Sequence, residues 1–236
     1  MSPYVGDPSG ECLGRAIWWV GLQFFRPPAD EKEPPPRLIR EAIRAIEEYA
    51  ENPDLIPMLA HRIGSKEIHH RHGRINCVKT MQAELYRMDA LALVVGTPVT
   101  PERHEFSGRT VEHITKLSRI ESRNDKLESK KRTVERHLQS VGRAGLLDSK
   151  RITDTTPEGK KVGRASIRWF AEQLFALLSL DKLLKGFRKF VSDSLKAVRY
   201  PTRRGKAIAS LSLKVARAQI ENKPKRIGDI LKRGPP

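Results

Sequence analysis

Lys130-Lys131-Arg132-Thr133-Val134-Glu135-Arg136-His137-Leu138-Gln139-Ser140-Val141-Gly142-Arg143-Ala144, followed by Gly145-Leu146-Leu147, is the stretch whose reading decides the fold. Projected at about 100° per residue, Val134, Leu138 and Val141 fall together on one side. Arg132, Arg136, Gln139 and Arg143 fall within about 60° of one another on the opposite side, flanked by Thr133 and Ser140. The spacing predicts an amphipathic helix over Lys130–Ala144 with one apolar and one basic face, closed by Gly145 at a C-cap position.

Working outward, Thr110 to Ile120 carries Val111, Ile114 and Leu117 at helical steps, with Thr110 suited to cap it. A polar connector, Glu121 to Glu128, separates this short helix from the longer one. Downstream, Leu146-Leu147 and Ile152 read as a strand, Thr155-Thr156-Pro157-Glu158-Gly159 as a turn, and Val162 to Trp169 as the returning strand of a hairpin. Helix, helix, hairpin is the chain order of a winged helix. The connector is longer than the tight turn of a minimal helix-turn-helix. The expected fold is mainly α with small β: a winged-helix domain with additional N-terminal helices and a basic helical C-terminal arm.

A recognition helix needs an apolar face that locks onto its neighbour, here through Ile114 and Leu117, and an opposite face that reaches base edges. Arg and Gln have the bidentate geometry for guanine and adenine. Arg132, Thr133, Arg136, Gln139, Ser140 and Arg143 are therefore the candidate base-reading residues. Lys130 and Lys131 stand at the expected helix start, where the dipole and free amides favour a phosphate. Arg109, ahead of the short helix, and Lys150, Arg151, Lys160, Lys161 and Arg164, in the hairpin, suit contacts to the DNA backbone, which position without reading sequence.

These residues resemble a known family. Thr110-Val111-Glu112-His113-Ile114-Thr115-Lys116-Leu117, a long connector ending Asp125-Lys126-Leu127, and then Lys131 to Leu138 through Gly145-Leu146-Leu147 look like the core of the RepA replication initiators of IncF-type bacterial plasmids. Ser166-Ile167-Arg168-Trp169-Phe170 followed by Leu174-Phe175-Ala176-Leu177-Leu178 is similar to the segment those initiators carry next. The resemblance spans residues 75–215. It implies a protein that binds repeated sites at a plasmid origin, bends or melts the double-stranded DNA there and recruits host initiator and helicase proteins, with no catalytic residues of its own.

The remainder of the chain sets the context. Of its 236 residues, 45 are Lys or Arg and 28 Asp or Glu, a formal charge of +17. The first sixty residues are acidic in balance; the bases accumulate afterwards and are almost one-signed over residues 187–236. Such polarity points to a polyanionic partner. With two cysteines, Cys12 and Cys77, a disulfide scaffold is excluded and a reducing, cytoplasmic setting is expected. No stretch reads as a membrane span or signal peptide. Residues 1–36 read as a flexible, aromatic-containing segment and Pro-rich linker, in which the stretch 12–25, with Trp18, Trp19, Phe24 and Phe25, is expected to pack on the main body or on a partner. Helices are expected at Leu38–Ala50, Ile75–Val95 and Glu172–Leu184, with a loop over His61–Gly73, so that residues 37–186 form the DNA-binding domain. Over 187–236, Arg188, Lys189, Lys196, Arg199, Arg203, Arg204 and Lys206 suit an arm along DNA, adding affinity and salt dependence irrespective of sequence.

Catalytic chemistry finds little support. His69-His70-Arg71-His72 with His61 and Cys77 lacks the paired spacing of a zinc site. The sequence contains no phosphate-cradling Gly-x-x-x-x-Gly-Lys motif, and Glu47, Glu48 and Glu51 read as a solvated helix face. No cofactor and no metal is expected. The readings set against a replication initiator are a winged-helix transcriptional regulator and, from another class, a nicking enzyme or RNA-binding protein.

Overall fold

The computed structural model describes residues 19, 21–28, 34–60, 70–98, 106–121, 125–155, 159 and 161–196. It is mainly helical, with a small three-stranded antiparallel sheet and a separate two-stranded antiparallel pairing. Helix α1 (Arg37–Ala45) buries Leu38, Ile39, Ala42 and Ile43 and tightens into a 3-10 turn over Ile46–Ala50. A turn at Pro53–Leu55 and a single helical turn at Pro57–Ala60 follow. Helix α2 (Arg71–Tyr86) is the central element, buried on all sides from Thr80 to Tyr86. Strands β1 (Val94–Val95), β2 (Thr97–Pro98) and β3 (Phe106–Ser107) lead to helices α3 (Val111–Ser118) and α4 (Leu127–Arg143). A long hairpin, β4 (Leu147–Thr155) and β5 (Lys161–Phe170), precedes α5 (Glu172–Leu177) and α6 (Asp181–Lys196).

The sheet order is β1-β5-β4, with Val94 opposite Trp169 and Leu147 opposite Phe170. Pairing slips by one residue between Lys150 and Ile152, leaving one extra residue on β5. Such a bulge bends a hairpin and increases its twist. One apolar core joins Ile39, Ile43 and Ile46 to Val78, Met81 and Leu85, and to Val141, Leu147, Phe170, Phe175 and Leu184. The helices before residue 95 therefore share a core with the hairpin. Of the aromatic N-terminal stretch, residues 19 and 21–25 pack here as irregular chain, and Trp18 lies outside the described residues: Phe25 is buried against Tyr86, ring centroids 5.1 Å apart, with Trp19, Leu22 and Phe24 partly covered. The Glu47 carboxylate fastens it, accepting from the Gln23 and Phe24 amides at 3.0–3.1 Å and from Gln82 Nε2 at 3.0 Å.

Several expected boundaries shift. Of the loop expected over His61–Gly73, residues 61–69 lie outside the described residues, and Arg71–Gly73 instead open α2, where Arg71 ion-pairs with Glu51. Glu47 and Glu51 are thus structural partners, not a merely solvated face. The helix expected to continue to Val95 stops at Tyr86. There Asp89 accepts from the amides of Leu91 (3.0 Å) and Ala92 (2.7 Å), and the β-branched Val94 and Val95 join the sheet. The helix expected over Glu172–Leu184 is two helices. Ser179 takes a left-handed conformation (φ 59°), its amide bonding to the Ala176 carbonyl at 3.0 Å and that of Leu180 to Phe175 at 2.6 Å. Beyond this Schellman break α6 turns Leu184 and Val191 into the core, and it runs continuously through residue 187, where the basic arm was expected to begin. Arg188 belongs to this anchored part, donating to the Leu91 carbonyl at 3.3 Å and pairing with Glu172 at 2.5 Å. Among the described residues no helix is long and apolar enough to cross a membrane.

Candidate nucleic-acid interface

The candidate surface is built from α3 upward. Thr110 caps α3, its Oγ1 accepting from the His113 amide at 3.2 Å. Ile114 and Ile120 then form a small cluster with Ala83 of α2 and Val134 of α4, bordered by Val111, Leu117 and Leu138. Val141, two turns further along α4, enters the main core. With Val134 and Val141 fixed inward, helical geometry sends Arg132, Arg136, Gln139 and Arg143 outward, and all four are exposed. Thr133 and Ser140 are half-buried beside them, each hydroxyl donating to the carbonyl one turn back, Ser129 at 3.0 Å and Arg136 at 2.9 Å.

Helix α4 starts at Leu127, three residues before the expected position. Lys130 and Lys131 therefore lie past the first turn, on the flanks of the buried face, each with its side chain 25 % exposed. Lys130 pairs with Asp125; Lys131 bridges Glu112 at 3.2 Å and Glu128 at 3.6 Å. Glu112 also holds Lys116 at 2.8 Å. Hydrogen bonds from Lys116 and Lys131 hold the Glu112 carboxyl below the usual carboxylate range, and Glu112 in turn raises the Lys131 ammonium. The cations of these two helices fall into two sets. Lys116, Lys130 and Lys131 are neutralised by neighbouring acids, whereas Arg132, Arg136 and Arg143 make no ion pair with any described residue.

The end of α4 is built by Gly145, in the left-handed region at φ 71°. Its amide bonds to the Gly142 carbonyl at 3.0 Å and that of Leu146 to Val141 at 3.1 Å, a Schellman motif. The chain thereby passes directly from the exposed arginines into β4. On the hairpin, Lys150 is half-buried opposite Ile167, and Arg151, Lys161 and Arg164 occupy strand positions. Lys160, Arg203 and Arg204 lie outside the described residues. Arg109 is half-buried just before α3, and its carbonyl accepts from Arg168 Nη2 at 2.8 Å.

That arginine is the residue the sequence reading passed over. A charged residue inside the apolar run Ile167-Arg168-Trp169-Phe170 signals a buried partner, and that partner is Glu84 of α2, 2.9 Å away. Of the histidine cluster, His70 is exposed ahead of α2 and His72 lies 3.3 Å from Asn76 Nδ2; His61 and His69 fall outside the described residues. Among the described residues no three His, Cys, Asp or Glu side chains are grouped to hold a metal ion. Comparison with protein families, characterised proteins and solved structures finds no match to this chain.

Proposed function

We propose that the chain is a sequence-specific double-stranded DNA-binding protein. In this reading α3, α4 and the β4–β5 hairpin form a winged helix, with α4 in the major groove and the hairpin along the backbone. The observation that carries it is the division of cations on α3 and α4. Lys116, Lys130 and Lys131 are paired with Glu112, Asp125 and Glu128, while Arg132, Arg136, Gln139 and Arg143 stay exposed on the face opposite Val134 and Val141. The exposed stripe is made of arginine and glutamine, the side chains with bidentate geometry for guanine and adenine. Phosphate contacts in this reading come from the hairpin and from the basic residues after 196, together with Lys130 and Lys131 on the flanks of α4. The resemblance of residues 75–215 to plasmid initiators extends the proposal to replication initiation, by binding origin repeats and recruiting host proteins in the bacterial cytoplasm, without catalysis by this chain.

Two measurements test it. Duplex titration at two salt concentrations should give specific binding that weakens with salt, with a log–log slope of about −0.9 per phosphate neutralised. A plasmid carrying the cognate origin and this gene should be maintained, and the Arg132→Ala, Arg136→Ala double variant should fold normally yet lose maintenance. Maintenance by that variant at the wild-type level would remove the initiator reading. Control of a promoter without origin maintenance would favour a transcriptional regulator.

A further inference from the structure

On α4 an acid borders the arginine stripe. Glu135 is exposed, about 40° around the helix from Gln139, and unlike Glu112 and Glu128 it pairs with no described cation. A bare carboxylate at the edge of a DNA-facing surface is repelled by phosphates unless a donor on the bases meets it. An ionised carboxylate only accepts hydrogen bonds, and the base edge that offers a donor without an adjacent acceptor in the major groove is the cytosine N4 amino group. Arginine matches the guanine O6/N7 pair, and glutamine the adenine N6/N7 pair. The five side chains Arg132, Glu135, Arg136, Gln139 and Arg143 lie along about 16 Å of helix at 1.5 Å per residue, and one base pair is assigned to each.

Resting on the duplex-reading proposal above, we infer that α4 selects a G·C-rich half-site of about five base pairs. Guanines face Arg132, Arg136 and Arg143, an adenine faces Gln139, and a cytosine faces Glu135, which acts as a specificity-determining residue. The carboxylate adds no affinity for DNA in general; it penalises sequences that lack the cytosine amino group at its position.

The test is selection of the full-length chain on a randomised duplex library, with wild type, Arg136→Ala and Glu135→Gln compared and helix content checked by circular dichroism. Wild type should enrich a motif dominated by G·C pairs. Arg136→Ala should lose guanine preference at one position, a discrimination of roughly 5- to 140-fold, and keep the others. Glu135→Gln should replace the cytosine preference at one position by adenine. A motif left unchanged in both variants would overturn the inference while leaving sequence-specific binding intact. So would an Arg136→Ala variant weakened equally on every sequence, since that marks a phosphate contact. Duplex binding without any motif would remove both the inference and the reading it rests on.

Discussion

Arg168 and Glu84 form a buried ion pair between β5 and α2. Nη2 stands 2.9 Å from Oε1 and Nε 3.1 Å from Oε2, with the side chains 5 % and 0 % exposed. The same guanidinium donates to the Arg109 carbonyl at 2.8 Å. One side chain therefore ties the central helix, the hairpin and the approach to α3. Burial pushes the Glu84 carboxyl above the usual carboxylate range, and the guanidinium opposes that push. Mutual attraction inside the protein only partly offsets the desolvation of two charges. The expected contribution of the pair is hence to orientation more than to net stability.

Removing one partner should be costly. Glu84→Ala strands a guanidinium in the core and should lower unfolding free energy in urea by about 3–5 kcal/mol. The double variant Glu84→Met, Arg168→Met should recover most of that loss, falling short by about 1 kcal/mol for the Arg109 carbonyl left without its donor. A double variant no more stable than Glu84→Ala would show that the pair itself supplies the stability.

Stability should fall at low pH partly through Glu112. Its carboxyl lies below the ordinary value of 4.5 in the folded chain because Lys116 and Lys131 donate to it. The folded state thus holds the proton less tightly than the unfolded state does. The resulting stabilisation is complete above the unfolded value and is lost as pH falls through the folded one. Thermal midpoints followed from pH 6 downward should drop less steeply in Glu112→Gln than in wild type. Added salt should shrink the difference, since the group is solvent-exposed.

Cys77 should be inert. The thiol is enclosed, and burial pushes it up to about 12, so thiolate is negligible near neutrality. In a Cys12→Ser variant, uptake of a thiol reagent should be undetectable under native conditions and should rise with denaturant along the unfolding curve. Rapid native labelling would contradict the burial of Cys77 in the main core.

Gly145→Ala should cost about 1–2 kcal/mol, because the left-handed φ of 71° suits glycine and strains a Cβ. The steric space is open, with nothing within 4 Å of an added Cβ, so the loss isolates backbone strain from packing. Chemical denaturation reads it directly. A neutral substitution would mean that α4 ends differently in solution.

How much was legible beforehand depended on how local the cause was. The stripe of Val134, Leu138 and Val141 opposite Arg132, Arg136, Gln139 and Arg143 is a property of 3.6-residue periodicity, and both faces stand where that periodicity sends them. The Gly145 closure and the Thr110 cap follow from local backbone chemistry as well. Helix lengths were less legible. Asp89 ends α2 through hydrogen bonds to Leu91 and Ala92, and Ser179 splits α5 from α6 where no glycine or proline marks a break.

By itself the sequence determined the helical pattern, the hairpin, and which residues of α4 face away from its apolar stripe, since each depends on neighbours within a turn or two. Only the tertiary structure decided which cations remain available. Lys131 meets Glu112 because Ile114, Ile120 and Val134 bring α3 and α4 together, and Arg168 of β5 meets Glu84 of α2 across 84 residues of sequence. Ion pairs between elements depend on a three-dimensional distance, to which spacing along the chain is blind.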